Sequence, residues 1–332
     1  MSSSTDVDLA FDRHVAPIVF ASSAFREEAP EITVVAGQPG AGKSAAVARL
    51  VRAVADPPAV ISAEGLAAFH PDYLEQRRWR PLEAQSAMAP LVAEWLSQSL
   101  DFARANHHSL ILEGSFSNPA AMFGTVDAFA AEGFLTRVLV VAARRSESLL
   151  TAASRYLEAR RRGAPALFTD RDSHERGWVG TQDLVRVAEE TTPVDRLTIV
   201  GRRGKVLFDA ARNEGFSGAT AAMTVSESAP VTTLQAAEWF GELRRVTEYA
   251  RDARELSPPV ASVLVDLHEL ALNEVLPQMK VRRQSSFYIE QEARLTRELV
   301  SLRRAATVDL ETPLQPAPVF VPPAPSPRGP SL

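Results

Sequence analysis

The segment Gly37–Ser44, with the sequence GQPGAGKS, limits the possible folds of this chain more than any other feature. It follows the apolar stretch Ile32–Ala36 and precedes a helical pattern over residues 43–54. A glycine-rich loop between a strand and a helix presents backbone N–H groups and a positive helix N-terminus to phosphate. We therefore predict a nucleotide site with Mg²⁺, in which Lys43 contacts phosphates and Ser44 binds the metal. The residues predicted to bind the nucleotide are Gly37, Gln38, Pro39, Gly40, Ala41, Gly42, Lys43 and Ser44.

Short β-branched runs alternate with helical patterns between residues 31 and 212. Such alternation indicates an α/β fold with a mainly parallel, P-loop kinase-like sheet and helices on both faces. Ligands of these sheets bind at the carboxyl ends of the strands, where the loop Gly37–Ser44 lies. The predicted strands are Ile32–Ala36, Ala59–Ser62, Leu110–Leu112, Val138–Ala142, Leu197–Val200 and Val206–Phe208, and the predicted helices cover 43–54, 81–105, 119–132, 146–162 and 180–190.

The rest of the chain divides by composition around this domain, which we place at residues 1–212 with an N-terminal helix in 1–30. Residues 213–230 are rich in Gly, Ser and Ala and are typical of a linker. Residues 231–306 show three amphipathic patterns (near 233–255, 259–276 and 283–305), which predict a helical bundle. Residues 307–332 are rich in proline and predict a disordered tail.

Composition limits the cellular setting and the partners. The chain has no cysteine, which excludes disulfides and thiolate metal sites and suits a reducing cytoplasm. Its formal net charge of −5 gives no general attraction to nucleic acid or anionic membranes. The N-terminus lacks the pattern of a signal peptide, and no apolar run approaches the roughly 18 residues of a membrane span. We expect a cytoplasmic protein that binds neither nucleic acid nor a membrane.

Three further positions carry groups suited to phosphoryl transfer. Glu64 follows the second strand, where its carboxylate can accept a hydroxyl proton or merely complement a helix dipole. Glu113 ends the third strand, as metal-binding or substrate-binding acids do, or as a solvated strand end does. Arg155 lies in an arginine-rich helical pattern that can cover a triphosphate or form a solvated basic face.

These motifs together resemble the zeta-toxin family of P-loop kinases over residues 5–212. The resemblance rests on Gly37–Ser44, on Glu64 with the His70-Pro71 pair, on the Leu112–Ser115 strand end and on Arg155-Tyr156. It implies a kinase that uses ATP or GTP with Mg²⁺ to phosphorylate a hydroxyl of UDP-N-acetylglucosamine, blocks cell-wall synthesis and is inhibited by a small antitoxin protein. By position it makes Glu64, Lys43 and Arg155 catalytic, and Glu113, Ser115 and His70 substrate-binding residues.

The sequence departs from the family pattern at two positions. The family normally has Asp as its base, whereas this chain has Glu64, and a second family arginine aligns with Leu167. Arg171 or the Arg160–Arg162 cluster are candidates to replace that arginine. Two alternatives therefore stay open: a P-loop kinase for another small hydroxyl substrate, and a nucleotide-binding regulator with weakened catalysis. The helical bundle is an accessory structure, a partner or dimer surface, or a built-in inhibitor.

Overall fold

The structure is a computed structural model, and it describes residues 4–21, 29–191, 193–279 and 281–307. Its strands are β1 (Glu31–Ala36), β2 (Ala59–Ser62), β3 (Leu110–Gly114), β4 (Leu135–Ala142), β5 (Arg196–Gly201) and β6 (Val206–Ala211). Its helices are α1 (Ser4–Ala10), α2 (Ala16–Val19), α3 (Lys43–Arg52), α4 (Ala63–Ala67), α5 (Tyr73–Trp79), α6 (Ala84–Asn106), α7 (Pro119–Ala130), α8 (Arg145–Arg161), α9 (Arg171–Thr191), α10 (Ala219–Ser228), α11 (Thr233–Asp252), α12 (Pro258–Leu270), α13 (Leu276–Gln278) and α14 (Ser286–Thr307).

The six strands form one sheet in the order β2-β3-β1-β4-β5-β6, and only β6 runs antiparallel to its neighbour. This confirms the predicted α/β fold with a mainly parallel sheet. The central strand β1 lies between β3 and β4, with Ala36 paired to Gly114 on one side and to Val140 on the other. The loop after β1 therefore leaves the sheet between two strands that are far apart in sequence, which is where such sheets bind ligands.

Both faces of the sheet are covered, which explains why its strands are almost continuously apolar. On one face a large core includes Ile32, Val34 and Phe129 and packs the N-terminal helices, α6, α7, α9 and α10. On the other face a smaller core includes Val35 and Val141 and holds α3 against the sheet. This double cover fixes β1, and with it the position of the loop that follows.

The N-terminal helix predicted for residues 1–30 is interrupted. A π-helical turn over Phe11–Val15 joins α1 to α2, and Pro17 lies in the first turn of α2. A proline cannot donate the usual helical hydrogen bond, and a wider turn accommodates it. Phe11 and Val15 are buried against the sheet domain, whereas residues 1–3 and 22–28 of the prediction lie outside the described residues.

The prediction of a linker over residues 213–230 is wrong. Most of that segment is α10, and Phe216, Ala219 and Met223 are buried in the main core of the sheet domain. Glu189 of α9 accepts hydrogen bonds from the N–H groups of Gly218 and Thr220, which fixes the start of α10. Small residues here serve close packing instead of chain flexibility.

The three predicted C-terminal helices are present as α11, α12 with its extension to Gln278, and α14. They share one core with α8, because Leu149, Tyr156 and Leu157 pack with Leu243, Leu264 and other residues of these helices. Trp239 of α11 also donates its indole N–H to the carbonyl of Ser146. The C-terminal helices are therefore built onto the sheet domain through α8. The predicted proline-rich tail lies outside the described residues apart from Thr307, which ends α14.

The sequence pattern does not predict two short helices, α4 and α5, or the early start of α9. α4 and α5 lie in the block around Glu64 and His70, and α9 begins at Arg171, nine residues before the predicted 180–190. The first half of α9 carries charged and small residues, which hide its helical period. No helix in the described ranges is both long and apolar enough to cross a membrane.

Candidate nucleotide-binding and phosphoryl-transfer site

The loop Gly37–Ser44 is held in a conformation that requires glycine. Gly40 has φ +78°, and a Cβ atom at this position would overlap the carbonyl group of Ser148 and lie 3.1 Å from the nitrogen of Ala152. Gly42, with φ +106°, immediately precedes α3. Left-handed backbone and close contact with α8 thus exclude other side chains at Gly40. Among the described residues no side chain caps the N-terminus of α3, and an uncapped helix N-terminus is suited to phosphate.

Lys43 lies across this loop. Its Nζ donates to the carbonyl oxygens of Gly37 (2.8 Å) and Gln38 (3.2 Å) and to Ser115 Oγ (3.0 Å). Burial lowers the pKa of Lys43 to about 8, while the nearby carboxylates of Glu113 and Glu64 oppose that shift. The ammonium group therefore lies between the phosphate loop and both predicted acidic residues.

A hydrogen-bonded group of side chains lies at the carboxyl ends of β1 and β3, and we call its members, Ser44, Glu113 and Ser115, the floor residues. Ser44 Oγ donates to Glu113 Oε1 at 2.9 Å, and Ser115 Oγ donates to the carbonyl of Gly37 at 2.9 Å. The pairing of β1 with β3 explains this arrangement, because Glu113 lies beside Val35 and Gly114 beside Ala36. Hydroxyl and carboxylate oxygens are the ligands that Mg²⁺ prefers, so Ser44 and Glu113 fit a metal bound together with phosphates.

Glu64 and Arg155 face each other beside the loop. Arg155 Nη2 lies 3.7 Å from Glu64 Oε1, and the two side chains are about half exposed (59% and 48%). Glu64 is placed in the first turn of α4, whose start is capped by Ser62 Oγ accepting from the N–H of Gly65 at 3.0 Å. A loose and exposed pair of this kind leaves both groups available to a ligand.

His70 occupies a turn after α4. Its Nδ1 accepts the N–H of Asp72 at 3.1 Å, and the backbone N–H of Tyr73 bonds to the His70 carbonyl at 2.9 Å. Among the described residues, no hydrogen bond or ion pair connects His70 to Lys43, Glu64 or Arg155. Its predicted contact with substrate stays a prediction.

A buried polar network supports the loop from behind. Gln38 Nε2 donates to the carbonyl of Ala143 (2.7 Å) and to Ser148 Oγ (3.2 Å), and Ser148 Oγ lies 2.9 Å from His174 Nε2. Burial lowers the pKa of His174 to about 4, with Arg145 and Lys43 adding to the shift, so the imidazole is neutral at pH 7. This network joins α8 and α9 to the phosphate loop.

Two glycines let α9 approach the site at backbone distance. A Cβ atom on Gly177 would lie 2.8 Å from Pro39 Cδ, and one on Gly180 would lie 2.5 Å from the carbonyl oxygen of Phe116. α9 thus packs directly on the phosphate loop and on the segment that follows Ser115. Ser148, His174, Gly177 and Gly180 were not assigned to the site from sequence, although two glycines three residues apart on a helix are a signal of close packing.

The turn between β5 and β6 borders the loop on its other side. Arg202 donates to the carbonyl of Glu147 (3.2 Å) and to Thr151 Oγ1 (2.6 Å), and its Cγ would lie 3.6 Å from a Cβ atom on Gly42. Burial lowers the pKa of Arg202. Arg202 therefore ties this turn to α8 next to the start of α3.

The arginines considered as replacements at Leu167 are engaged elsewhere. Arg171 Nε lies 3.0 Å from Asp266 Oδ2 on α12, and Arg160 Nη2 lies 2.9 Å from Glu255 Oε1, which follows α11. Arg161 and Arg162 both pair with Glu158 of their own helix at 2.8 Å. Of the arginines singled out from sequence, Arg155 is the one that meets a predicted catalytic residue.

Comparisons with known proteins agree with the fold. The profile of the zeta-toxin family matches residues 20–213. Among solved structures, a protein of the PezAT chromosomal toxin–antitoxin system of Streptococcus pneumoniae has a TM-score of 0.61 at 16% identity, covering 75% of this chain and 98% of its own. The AvrRxo1-ORF1:AvrRxo1-ORF2 complex with ATP is similar at 9% identity over 91% of this chain and 87% of its own, with a TM-score of 0.44 that carries no further weight. No curated protein matches the sequence.

Proposed function

We propose that this chain, which belongs to the zeta-toxin family and is an ATP-dependent kinase, transfers the γ-phosphate to a hydroxyl of UDP-N-acetylglucosamine. The observation that carries the proposal is the Glu64–Arg155 pair at 3.7 Å, set beside a lysine that already interacts with both Glu64 and Glu113. A base, a phosphate-binding lysine and an accessible arginine are groups that phosphoryl transfer uses. The identity of the sugar nucleotide rests on the family resemblance.

In the proposed reaction the acceptor hydroxyl attacks the γ-phosphorus. A new oxygen–phosphorus bond forms, the bond between the γ-phosphorus and the β–γ bridging oxygen breaks, and ADP leaves. Glu64 receives the hydroxyl proton. Lys43 stays with the β- and γ-phosphates, and Arg155 turns from Glu64 toward the transferred group, where its guanidinium neutralises developing charge.

The floor residues complete the phosphate site. Mg²⁺, when bound, would offset the charge of the triphosphate. Ser44 and Glu113 are the residues that would hold it, since their oxygens already face each other at 2.9 Å. Ser115 keeps the Lys43 ammonium against the loop through its own bond to Gly37. From the family resemblance we also assign Glu113, Ser115 and His70 to substrate binding.

Substitution of the family's Asp by Glu64 lengthens the base by one methylene. The two acids have similar ordinary pKa values, so the proton transfer itself is preserved. The added length displaces the carboxylate by roughly 1 Å, a shift that can lower a rate by about 10²-fold. A slow kinase is therefore the expected form of this activity. A protein partner is also proposed: the similar pneumococcal structure comes from a toxin–antitoxin system, and a small antitoxin that covers the nucleotide site would silence this chain.

The test is transfer of label from γ-labelled ATP to UDP-N-acetylglucosamine in the wild type and in single variants. We expect Lys43→Ala and Glu64→Ala to abolish transfer and Glu64→Asp to retain or raise it. Glu238→Ala is the matched control, because Glu238 is an exposed carboxylate on α11 that forms no hydrogen bond or ion pair with a site residue among the described residues. Transfer that survives Glu64→Ala would refute the role of Glu64 as base.

Two other outcomes identify the alternatives. Lys43-dependent ATP binding with transfer to a different hydroxyl compound, found in a screen of small substrates, indicates a kinase of another specificity. Lys43-dependent ATP binding with no transfer to any acceptor indicates a nucleotide-binding regulator. The regulator alternative is favoured by the ion pairs of Arg160 and Arg171. Each of these arginines is paired with a carboxylate outside the site, so neither takes the place of the family arginine that aligns with Leu167.

A further inference from the structure

A groove lies between α11 and α14 among the C-terminal helices. α11 packs mainly on α8, whereas α14 packs on α12, and the ion pair of Arg251 with Glu298 (2.5 Å) joins α11 to α14. The space left between the two helices has a volume of about 710 Å³. On the α11 side its lining includes Ala237 and Gly241, whose small size keeps the space open. We call this space the α11–α14 groove.

The groove carries large apolar side chains. Phe240 and Met279 belong to its lining and are buried in the core of the C-terminal helices. Phe287 and Ile289, on the α14 side, are 45% and 53% exposed. Apolar side chains that remain exposed within one concave surface mark a binding site more often than scattered ones do.

The lining of the groove is also basic. It includes Arg244, Arg294 and Arg297, against the single carboxylate of Glu290. Arg244 lies 3.9 Å from Glu248, and among the described residues no ion pair is formed by Arg294 or Arg297. An occupant that matches this surface combines apolar side chains with nearby negative charge.

The chain itself contains a segment with this chemistry beyond α14. The sequence Pro318–Pro322, PVFVP, holds three large apolar side chains between prolines, and prolines favour the extended polyproline II conformation. Asp309 and Glu311 precede it, and the sequence from 308 to 327 contains no Lys or Arg. The segment and its approach are thus complementary to the groove in both hydrophobicity and charge.

The length of the chain allows this segment to reach the groove. The part of α14 that lines the groove runs from Phe287 to Arg297, about 15 Å along the axis, which is also about the length of five residues in polyproline II. Thr307 ends α14 about 15 Å beyond Arg297. The ten residues 308–317 span up to about 31 Å when extended, which is enough to turn back along α14.

We propose that Pro318–Pro322 docks in the α11–α14 groove of the same chain. Phe320 enters between the aromatic rings of Phe240 and Phe287, as proline-rich segments dock in aromatic-lined grooves. The approach over residues 308–317 brings its two carboxylates past the basic end of the groove. Because the segment is attached to α14, its high effective concentration populates even a weak contact. The groove shares no lining residue with the phosphate site, so this inference does not rest on the proposed function.

The test measures how fast a maleimide reagent labels a thiol placed in the groove of the full chain. The chain has no cysteine, so one introduced thiol reports on one position. Gly241→Cys suits this purpose, because a Cβ atom there meets nothing within 4 Å. We expect its labelling to be about fivefold slower, or more, than in the same variant with Val319→Ser, Phe320→Ser and Val321→Ser. Gly124→Cys is the matched control, since Gly124 is a helical glycine on α7 with equally open surroundings, and its labelling should not respond to these tail substitutions.

A second reporter and a charge variant sharpen the test. Ala293→Cys lies on the α14 side of the groove and should be protected by the same tail residues. Asp309→Asn together with Glu311→Gln should speed labelling of Gly241→Cys by about twofold, since exposed ion pairs contribute little.

Three results would overturn the proposal. Equal labelling of Gly241→Cys and of Ala293→Cys with and without the tail substitutions would show that the tail does not occupy the groove. Protection that disappears on dilution of the protein would assign the groove to the tail of a second copy. Slower labelling of Gly124→Cys by the same factor would show that the tail shields the surface in general and has no site in the groove.

Discussion

Replacement of Gly177 or Gly180 by alanine tests whether α9 supports the phosphate loop. Both glycines lie inside α9, where alanine alone would favour the helix by up to about 1 kcal/mol. The surrounding structure opposes this gain. At Gly180 a Cβ would lie 2.5 Å from the Phe116 carbonyl oxygen and 2.6 Å from Ser117 Cα, and at Gly177 it would lie 2.8 Å from Pro39 Cδ.

The two positions should differ in the kind of damage. Overpacking typically costs about 1–3 kcal/mol, and the atoms that meet Gly180 are backbone atoms that cannot turn aside. We expect Gly180→Ala to lower the free energy of unfolding by about 2 kcal/mol after the helix gain. For Gly177→Ala we expect a loss of about 1 kcal/mol and a larger loss of function, because the displaced atom belongs to the loop that is predicted to bind phosphate. A displacement of about 1 Å there can reduce activity about 10²-fold.

Gly124 provides the matched control, since it is a helical glycine on α7 where a Cβ atom would meet nothing within 4 Å. Gly124→Ala should raise the free energy of unfolding by about 0.5–1 kcal/mol and leave ATP binding unchanged. The measurements are urea unfolding and ATP titration of all three variants. If Gly177→Ala and Gly180→Ala are stabilised like Gly124→Ala, α9 does not pack on the loop as described, and its supporting role is refuted.

Three further predictions follow from the charged groups of the site and its supports. Burial lowers the pKa of His174 to about 4 from an ordinary 6.5, so between these pH values the unfolded chain binds a proton that the folded protein does not. Urea unfolding should therefore show that the free energy of unfolding falls as the pH is lowered from 6.5 toward 4, and His174→Gln should reduce this pH dependence. Because the pKa of Lys43 is lowered to about 8, calorimetric titration should show ATP affinity falling above pH 8 by up to about tenfold per pH unit, whereas Lys43→Arg should bind weakly at every pH without this slope. Arg171→Gln leaves the buried Asp266 unpaired and should lower the free energy of unfolding by about 1 kcal/mol. The double variant Arg171→Gln with Asp266→Asn should recover most of that free energy, and an equal loss in the single and the double variant would show that the two residues are not coupled.

The positions of the candidate phosphate-site residues could be predicted from sequence, because these residues are neighbours in the chain or are brought together by the sheet topology. The strand–loop–helix unit around Lys43 is contiguous in sequence, and its glycines indicate positive φ angles that other residues rarely adopt. Glu64 follows β2 and Glu113 lies at the end of β3, and because the carboxyl ends of parallel strands meet at one edge, both are expected near the loop. The bond between Ser44 and Glu113 and the pairing of Glu64 with Arg155 agree with that expectation.

The supports behind the loop could not be read in this way. Gln38 contacts residues 105 and 110 positions later in the chain, and the Ser148–His174 pair depends on how α9 crosses α8. Hydrophobic periodicity predicts that a helix exists and does not predict which helix it crosses. The linker prediction is wrong for a related reason. Gly, Ser and Ala between residues 213 and 230 are typical of a flexible segment, but alanine also favours helix, and small side chains allow α10 to pack closely.

The shared core of α8 and the C-terminal helices determines how a regulatory role of those helices can be tested. Deletion of residues 220–332 would remove α11, α12 and α14 and uncover the buried side chains of Leu149, Tyr156 and Leu157 on α8. It would also remove most of α10, whose Met223 is buried in the core of the sheet domain. Since α8 also carries Arg155 and Ser148, loss of activity after such a deletion would follow from damage to the site, whether or not the helices inhibit it. Substitutions that release a single contact avoid this difficulty. Glu255→Gln removes the charge that pairs with Arg160 of α8 and leaves the apolar residues of the shared core unchanged, so a change in activity would report on this ion pair.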